Sequence, residues 1–382
     1  MIKSITINNF KSIINSSIKF PAFVTIAGEN AVGKTNLIQS IKFLKSIILG
    51  ASTNEAQKKI SLIPNELFNF TDKNTEFSIQ IVVETKEEIE YEFYIKVSLK
   101  NGSPVPPLLL VKQEKLIRYS KELGNQIVYL REGGDFKEKG TTPFPLAVEP
   151  NKLALSIYKN QDTDNIKYFF SNLVIPDFED INNLNSIGIG KQGSTSSDLA
   201  DILINLSHGK PEVYQDFLKI TRKFMPYFSS FNEIPMSNTS DESTKGNFLL
   251  VLAENNLKES LSMQSISAGD IRTLYLIASA LTVENNSSLI IEEIENGIHP
   301  KRILDLVDQL ETIARVKDLQ IIFTTHSSML INKMPVTKII FVQKKTDTGT
   351  QFHLLTDSDQ ITKIRDYLEN GGDITDYLNN LR

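Results

Sequence analysis

Hydrophobic and polar residues along the chain fall into distinct periods. Ile5 and Ile7 alternate with Ser4, Thr6 and Asn8, and Ile18 and Phe20 alternate with Ser17 and Lys19, which predicts two half-buried strands. A more apolar strand follows in "AFVTIAG". Leu37, Ile41, Leu44 and Ile48 then recur at steps of four, three and four, an apolar stripe down one helix. Between 77 and 131 the segments "FSIQIVV", "YEFYIKVSL", "LLLVKQEKLIRY" and "NQIVYL" predict an antiparallel meander. From about 140 to 240 the texture is helical and rich in loops. Val213, Phe217, Ile220 and Phe224 share one helical face, and the polar "SNTSDESTKG" marks a boundary. The aromatic clusters "YFFSNL" and "FMPYFSSF" in this region read as core or interface, with core the favoured reading. Beyond 247, strand "NFLLVLAE", a helix near 270–283, strand "SLIIEE", helix "KRILDLVDQLETIAR", strand "QIIFTTH", a short helix and strand "KIIFVQK" alternate. That alternation predicts a largely parallel α/β sheet whose two sequence halves are separated by an insertion.

The resulting division is a split core at 1–50 and 245–350, an antiparallel β subdomain at 51–135 and a helical insertion at 136–244. A strand and small helices follow at 351–382.

Composition narrows the function classes. The chain has 382 residues, 40% hydrophobic and 23% charged, the mixture of a folded globular protein. With 41 Lys plus Arg against 46 Asp plus Glu, the net charge of -5 gives no general footprint for nucleic acid. There is no cysteine, so disulfides and thiolate metal sites are excluded. No apolar run reaches membrane-spanning length and the start lacks a leader-like apolar region, so a cytoplasmic location without membrane association is expected.

Chemistry concentrates at four places. "GENAVGKT", residues 28–35, satisfies G-x-x-x-x-G-K-[ST], directly follows the "VTIAG" strand and opens the striped helix. Gly28 and Gly33 let successive backbone N–H groups face inward, and the helix N-terminus adds partial positive charge, so the turn can cradle phosphates. Lys34 is placed to reach β- and γ-phosphates, and the Thr35 hydroxyl to meet a magnesium ion. "LIIEE" is an apolar strand tipped by Glu292 and Glu293. In P-loop enzymes a strand beside the phosphate-binding one presents an acid to the metal, which gives Glu292 the metal and Glu293 the attacking water. Two adjacent carboxylates repel unless Mg²⁺ and Lys34 supply positive charge. "SISAGDIR" places Ser267 as an N-cap before Gly269 and Asp270, and such a helix start can also bind an anion. His326 ends the strand of "IIFTTHSS".

The set "GENAVGKT", "SISAGD", "LIIEEIENGIHP" and "FTTHS", together with the opening "IKSITINNFKSI", resembles an ABC-type ATPase head of the RecF/SMC/OLD group. Within that group "ENGIHP" is similar to the compact AAA branch, many of whose members, RloA-like and PARIS-type among them, sit in bacterial anti-phage operons. The specific motifs cover roughly residues 1–50 and 245–345. The resemblance implies a P-loop NTPase fold carrying an antiparallel β subdomain and a helical insertion. It assigns Gly28, Glu29, Asn30, Ala31, Val32, Gly33, Lys34, Thr35 and Asn36 to ATP as Walker A and its flank. Ser267, Gly269 and Asp270 correspond to the ABC signature, Glu292 (with Thr35) to the Mg²⁺ site, Glu293 to the catalytic base and His326 to the switch histidine. Asn296 to His299 fall at the D-loop. Because such a signature closes over the ATP of a second copy, the resemblance implies an ATP-dependent homodimer and leaves a higher oligomer open.

Three positions depart from that pattern. Glu292 stands where aspartate is usual, "SAGD" replaces "SGGQ" or "SGGE", and no Q-loop glutamine is located because Gln80 falls inside a predicted strand. The leading expectation is a slow ATPase whose cycle controls a separate effector protein, a nuclease or toxin. The alternative is a RecF-like DNA clamp, for which Lys42, Lys45, Lys58 and Lys59 are the nearest basic cluster. A transporter subunit fits the motifs but not the N-terminal strands.

Overall fold

The computed structural model describes residues 1–61, 63–69, 75–100, 108–120, 124–176, 178, 189–191, 199–235, 247–357 and 361–379. The first strands are β1 (Ile2–Phe10), β2 (Ile13–Lys19), β3 (Phe23–Ala27), β4 (Glu76–Glu84), β5 (Glu90–Leu99), β6 (Leu109–Ser120), β7 (Gly124–Glu132), β8 (Asp135–Glu138) and β9 (Phe144–Pro145). They are followed by β10 (Ile189–Lys191), β11 (Phe228–Pro235), β12 (Asn247–Glu254), β13 (Leu261–Ser262), β14 (Ser288–Ile291), β15 (Gln320–Thr325), β16 (Ile339–Lys345) and β17 (Gly349–Leu354). The first helices are α1 (Lys34–Ile48), α2 (Thr53–Lys58), α3 (Gln161–Asn172), α4 (Leu199–Gly209) and α5 (Pro211–Phe224). The rest are α6 (Ala268–Thr282), α7 (Pro300–Lys317), α8 (Ser328–Lys333), α9 (Ile361–Glu369) and α10 (Ile374–Asn379).

Two units share the chain: Met1–Leu173, Asn285–Glu293 and Gln320–Arg382 form the first, and Val174–Glu284 with Ile294–Leu319 the second. The first unit holds a 13-stranded sheet of order β14-β15-β3-β16-β17-β2-β1-β4-β5-β6-β7-β8-β9. Only the β14–β15, β15–β3 and β3–β16 pairs are parallel. The expected largely parallel sheet is therefore a parallel corner of a mainly antiparallel one. Every residue of β3, β14 and β15 is buried, which is why these strands read as unbroken apolar runs.

The predicted meander is β4 to β7, paired antiparallel in sequence order. It is continuous with the core because β1 pairs with β4, Ile5 opposite Ile81 and Ile7 opposite Ile79. Phe77 on β4 meets the rings of Phe10, Phe68 and Phe43 at centroid distances of 5.3, 5.4 and 5.6 Å. Phe43 belongs to α1, so the helix that follows the glycine turn is anchored on the meander.

A buried acid fixes the far end of that sheet. Glu114 on β6 is 0% exposed and accepts from Tyr129 Oη (2.5 Å), Ala154 N (2.6 Å) and Leu155 N (3.0 Å). Arg131 lies 3.8 Å away and donates to Lys152 O and Gly133 O. Burial raises the Glu114 carboxyl above the usual carboxylate range, against the three donors and the Arg131 charge that hold it down. Replacing Glu114 by alanine strands those donors and is expected to cost about 3–5 kcal/mol of unfolding free energy, read by urea denaturation. Because the folded carboxyl binds its proton more tightly than the unfolded one, its contribution should fall as pH rises above the ordinary glutamate range, and Glu114→Gln should flatten that slope.

The second unit contains a small antiparallel sheet, β10-β12-β11 with β13 on β12. The segment "NFLLVLAE" is β12 of this sheet and not a strand of the parallel core, since its antiparallel partner β11 lies in "FSSFNEIP" of the supposedly helical region. Phe217 on α5 and Phe228 and Phe231 on β11 are buried, as are Phe169 and Phe170 of α3 in the first unit, whereas Tyr168 and Tyr227 remain exposed. The boundary stretch "SNTSDESTKG" lies outside the described residues. Among the described residues no helix is long and apolar enough to cross a membrane.

Candidate functional site

The parallel corner assembles the chemistry of the first unit. Ile291 pairs with Phe323, and Phe323 with Thr25, so β14, β15 and β3 run in one direction and end at one edge. Glu292 leaves β14 there, His326 leaves β15 and Gly28 leaves β3. The carboxyl ends of parallel strands are where open α/β sheets bind ligands. The acid-bearing strand does not lie beside the glycine-turn strand, as expected from sequence: β15 intervenes, so Glu292 and Gly28 stand two strand spacings apart, about 10 Å. That spacing leaves room for a phosphate and its metal between loop and acid.

The glycine turn is built to stay open. Ala31 has φ 62° and Gly33 φ 108°, and Gly33 caps α1. A side chain at Gly33 would run into the Thr350 and Ser12 hydroxyls, so only glycine fits. The Thr350 hydroxyl donates to Val32 O at 2.6 Å and shares a 2.7 Å hydrogen bond with Ser12 Oγ, which accepts from Asn36 Nδ2 at 2.6 Å. Lys34 is 6% exposed and its Nζ donates to Gly28 O (2.7 Å) and Glu29 O (2.5 Å). The ammonium thus holds the turn wrapped around a buried positive charge. Glu29, Asn30, Ala31 and Thr35 are exposed, and Val32 and Asn36 half-buried.

At the tip of β14, Glu292 and Glu293 are both half-buried. Glu293 has φ 45° and its N–H donates to Thr324 Oγ1 at 2.8 Å, so the chain turns sharply at the acid pair. Thr324 was not anticipated; the doubled threonine of "FTTHS" was its only sign. Thr350 and Ser12 carry no signal in the sequence, because nothing local marks a hydroxyl that acts across the sheet. His326 is exposed and, with Gly28, Glu29, Val32, Val342, Lys344 and Leu378, lines a cleft of about 450 Å³.

Thr35 and Glu292 supply oxygen donors of the kind a hard divalent cation takes when phosphate oxygens and water complete its shell. Among the described residues no cluster of three or more His, Asp or Glu side chains could hold a metal unaided. The donor set suits a metal that arrives with a phosphate.

The signature-like residues belong to the second unit. Ser267 is exposed and caps α6, its Oγ accepting from Asp270 N at 3.1 Å and donating to Asp270 Oδ2 at 2.8 Å. A side chain at Gly269 would collide with the carbonyl oxygen of Gly297. His299, in the D-loop-like segment, caps α7 through Nδ1, which accepts from Lys301 N. Gln80 sits in β4 between Thr6 and Tyr94, consistent with its exclusion as a sensor glutamine. Of the four lysines considered for DNA, Lys45 donates to Leu173 O and burial holds its pKa below the usual lysine range, so it serves the fold.

Residues 23–332 match the family described as "AAA domain, putative AbiEii toxin, Type IV TA system". The chain belongs to this AAA-domain family. It is similar to an ATP/GTP phosphatase of Helicobacter pylori, 23% identical over 386 aligned positions that cover 96% of this chain and 95% of that protein. Among solved structures it is similar to an SMC head bound to the C-winged helix domain of ScpA, with TM-score 0.55 and 15% identity over 92% of this chain and 97% of that one. The fold is that of an ABC-type ATPase head.

Proposed function

We propose that this AAA-family chain hydrolyses ATP at a site completed by a second copy, and that the cycle controls a separate effector, a nuclease or toxin, in anti-phage defence. The observation that carries the reading is the register of β14, β15 and β3, which brings the glycine turn, both acids and His326 to one edge. The name of the Helicobacter pylori relative supports nucleotide hydrolysis, and the family description, with its toxin and Type IV system, supports an effector partnership. That an SMC head of this fold binds another protein's winged-helix domain supports a protein partner as well.

In this reading the N–H groups of residues 29–35 and the Lys34 ammonium bind and orient the triphosphate. Thr35 and Glu292 would hold Mg²⁺, which would neutralise charge on the β- and γ-phosphates. Glu293 orients a water and accepts its proton, and His326 steadies the γ-phosphate from the neighbouring strand end. Ser267 of a second copy closes over the γ-phosphate at the N-terminus of α6.

The test is complementation. Ser267→Arg and Lys34→Ala proteins should each be inactive alone. Mixed in equal amounts they should recover up to about half of wild-type turnover, because neither variant can pair with itself in response to ATP and each mixed dimer has one intact site of two. A mixture as inactive as its components overturns action across the interface.

A further inference from the structure

Asp270 presents an electrostatic problem within the second unit. The residue is 7% exposed and stands in the first turn of the helix that, in the reading above, receives a triphosphate. An anion already in place opposes a second one. Its partners show how the conflict is managed. Arg302 Nη1 donates to Oδ1 at 2.5 Å, while Tyr227 Oη at 3.1 Å and Ser267 Oγ at 2.8 Å donate to Oδ2. The Tyr227 hydroxyl is pushed up to about 12 by burial and by the adjacent carboxylate, so it remains a donor. Arg302 lies in the first turn of α7, and its Nε and Nη2 are buried without a hydrogen-bond partner among the described residues. Its one bond to Asp270 is single-pronged, so its contribution is charge more than fork geometry.

The consequence for Ser267 is specific. Its hydroxyl accepts from the Asp270 N–H and spends its only proton on the Asp270 carboxylate. To donate to phosphate, the O–H must first leave Oδ2. We propose that Asp270 is an internal anion that retains the Ser267 hydroxyl until a triphosphate displaces it, and that Arg302 and Tyr227 are positioning residues that keep the carboxylate neutralised once the hydroxyl has turned away. The inference rests on the composite-site reading and assigns that site a gate.

The test is ATP-dependent self-association, followed by analytical ultracentrifugation in a Glu293→Gln background that preserves bound ATP. Adding Arg302→Gln should weaken association about tenfold or more, while the ATP affinity of the dilute protein stays within about twofold. Asp270→Asn together with Arg302→Gln should restore association to within a few-fold of the parent, which lost packing alone would not allow. Asp270→Asn by itself should associate at least as tightly as the parent. Three results would overturn the proposal: normal association with Arg302→Gln, no recovery in the double variant, or weakened association with Asp270→Asn alone. Ser267→Arg separates the two readings. If it abolishes association while Arg302→Gln has no effect, only the gate is lost. If it associates normally, or the parent itself does not respond to ATP, the composite site falls and the gate with it.

Discussion

Replacing Lys34 by alanine is expected to abolish ATP binding. The ammonium is buried at the start of α1 and ties the Gly28 and Glu29 carbonyls inward, so its loss removes the charge that meets the phosphates and loosens the turn that presents the N–H groups. Truncating one partner of a buried, hydrogen-bonded charge pair costs about 2–5 kcal/mol, or roughly thirty- to several-thousand-fold in affinity. Calorimetric titration with a non-hydrolysable ATP analogue measures it directly. Thermal unfolding of the same variant should change little, because Ser12, Asn36 and Thr350 still hold the turn from outside. A variant that binds the analogue as wild type does would remove Lys34 from the phosphate role and the glycine turn from the active site.

Exchanging Glu293 for glutamine should lower turnover by about 10²–10⁴-fold while leaving ATP affinity intact. Glutamine keeps the size, the positive φ tolerated at this turn and the N–H bond to Thr324, and it removes only the ability to accept a proton. The stalled protein should accumulate as an ATP-bound dimer, visible by light scattering and absent with ADP. Unchanged turnover would move the catalytic assignment to Glu292, which leaves the same strand one residue earlier.

Much of this fold could be read from periodicity because most of its elements are locally consistent. The α1 stripe of Leu37, Ile41, Leu44 and Ile48 is buried as the spacing requires, and the meander segments became β4 to β7 in sequence order. Alternation along β1 placed Ile5 and Ile7 inward, yet the same alternation could not reveal that β1 is bordered by β2 on one side and β4 on the other. The misplacement of "NFLLVLAE" has the same origin: an apolar strand is compatible with either sheet, and the choice was made by β11, a strand whose half-polar sequence resembles a loop.

The sequence by itself determined the glycine turn, the acids at a strand tip, the capped α6 and the identity of most helices and strands, because each depends on residues within one or two turns of one another. Tertiary structure alone decided that β15 separates the acid strand from the glycine-turn strand, that Thr350 locks a loop 318 positions away, and that Asp270 is shared by Tyr227 and Arg302. The physical reason is that a hydrophobic period states which face must be buried but not which neighbour buries it. Neighbours are selected by packing and by polar groups that must find partners once water is excluded, and both act between residues that sequence spacing does not relate.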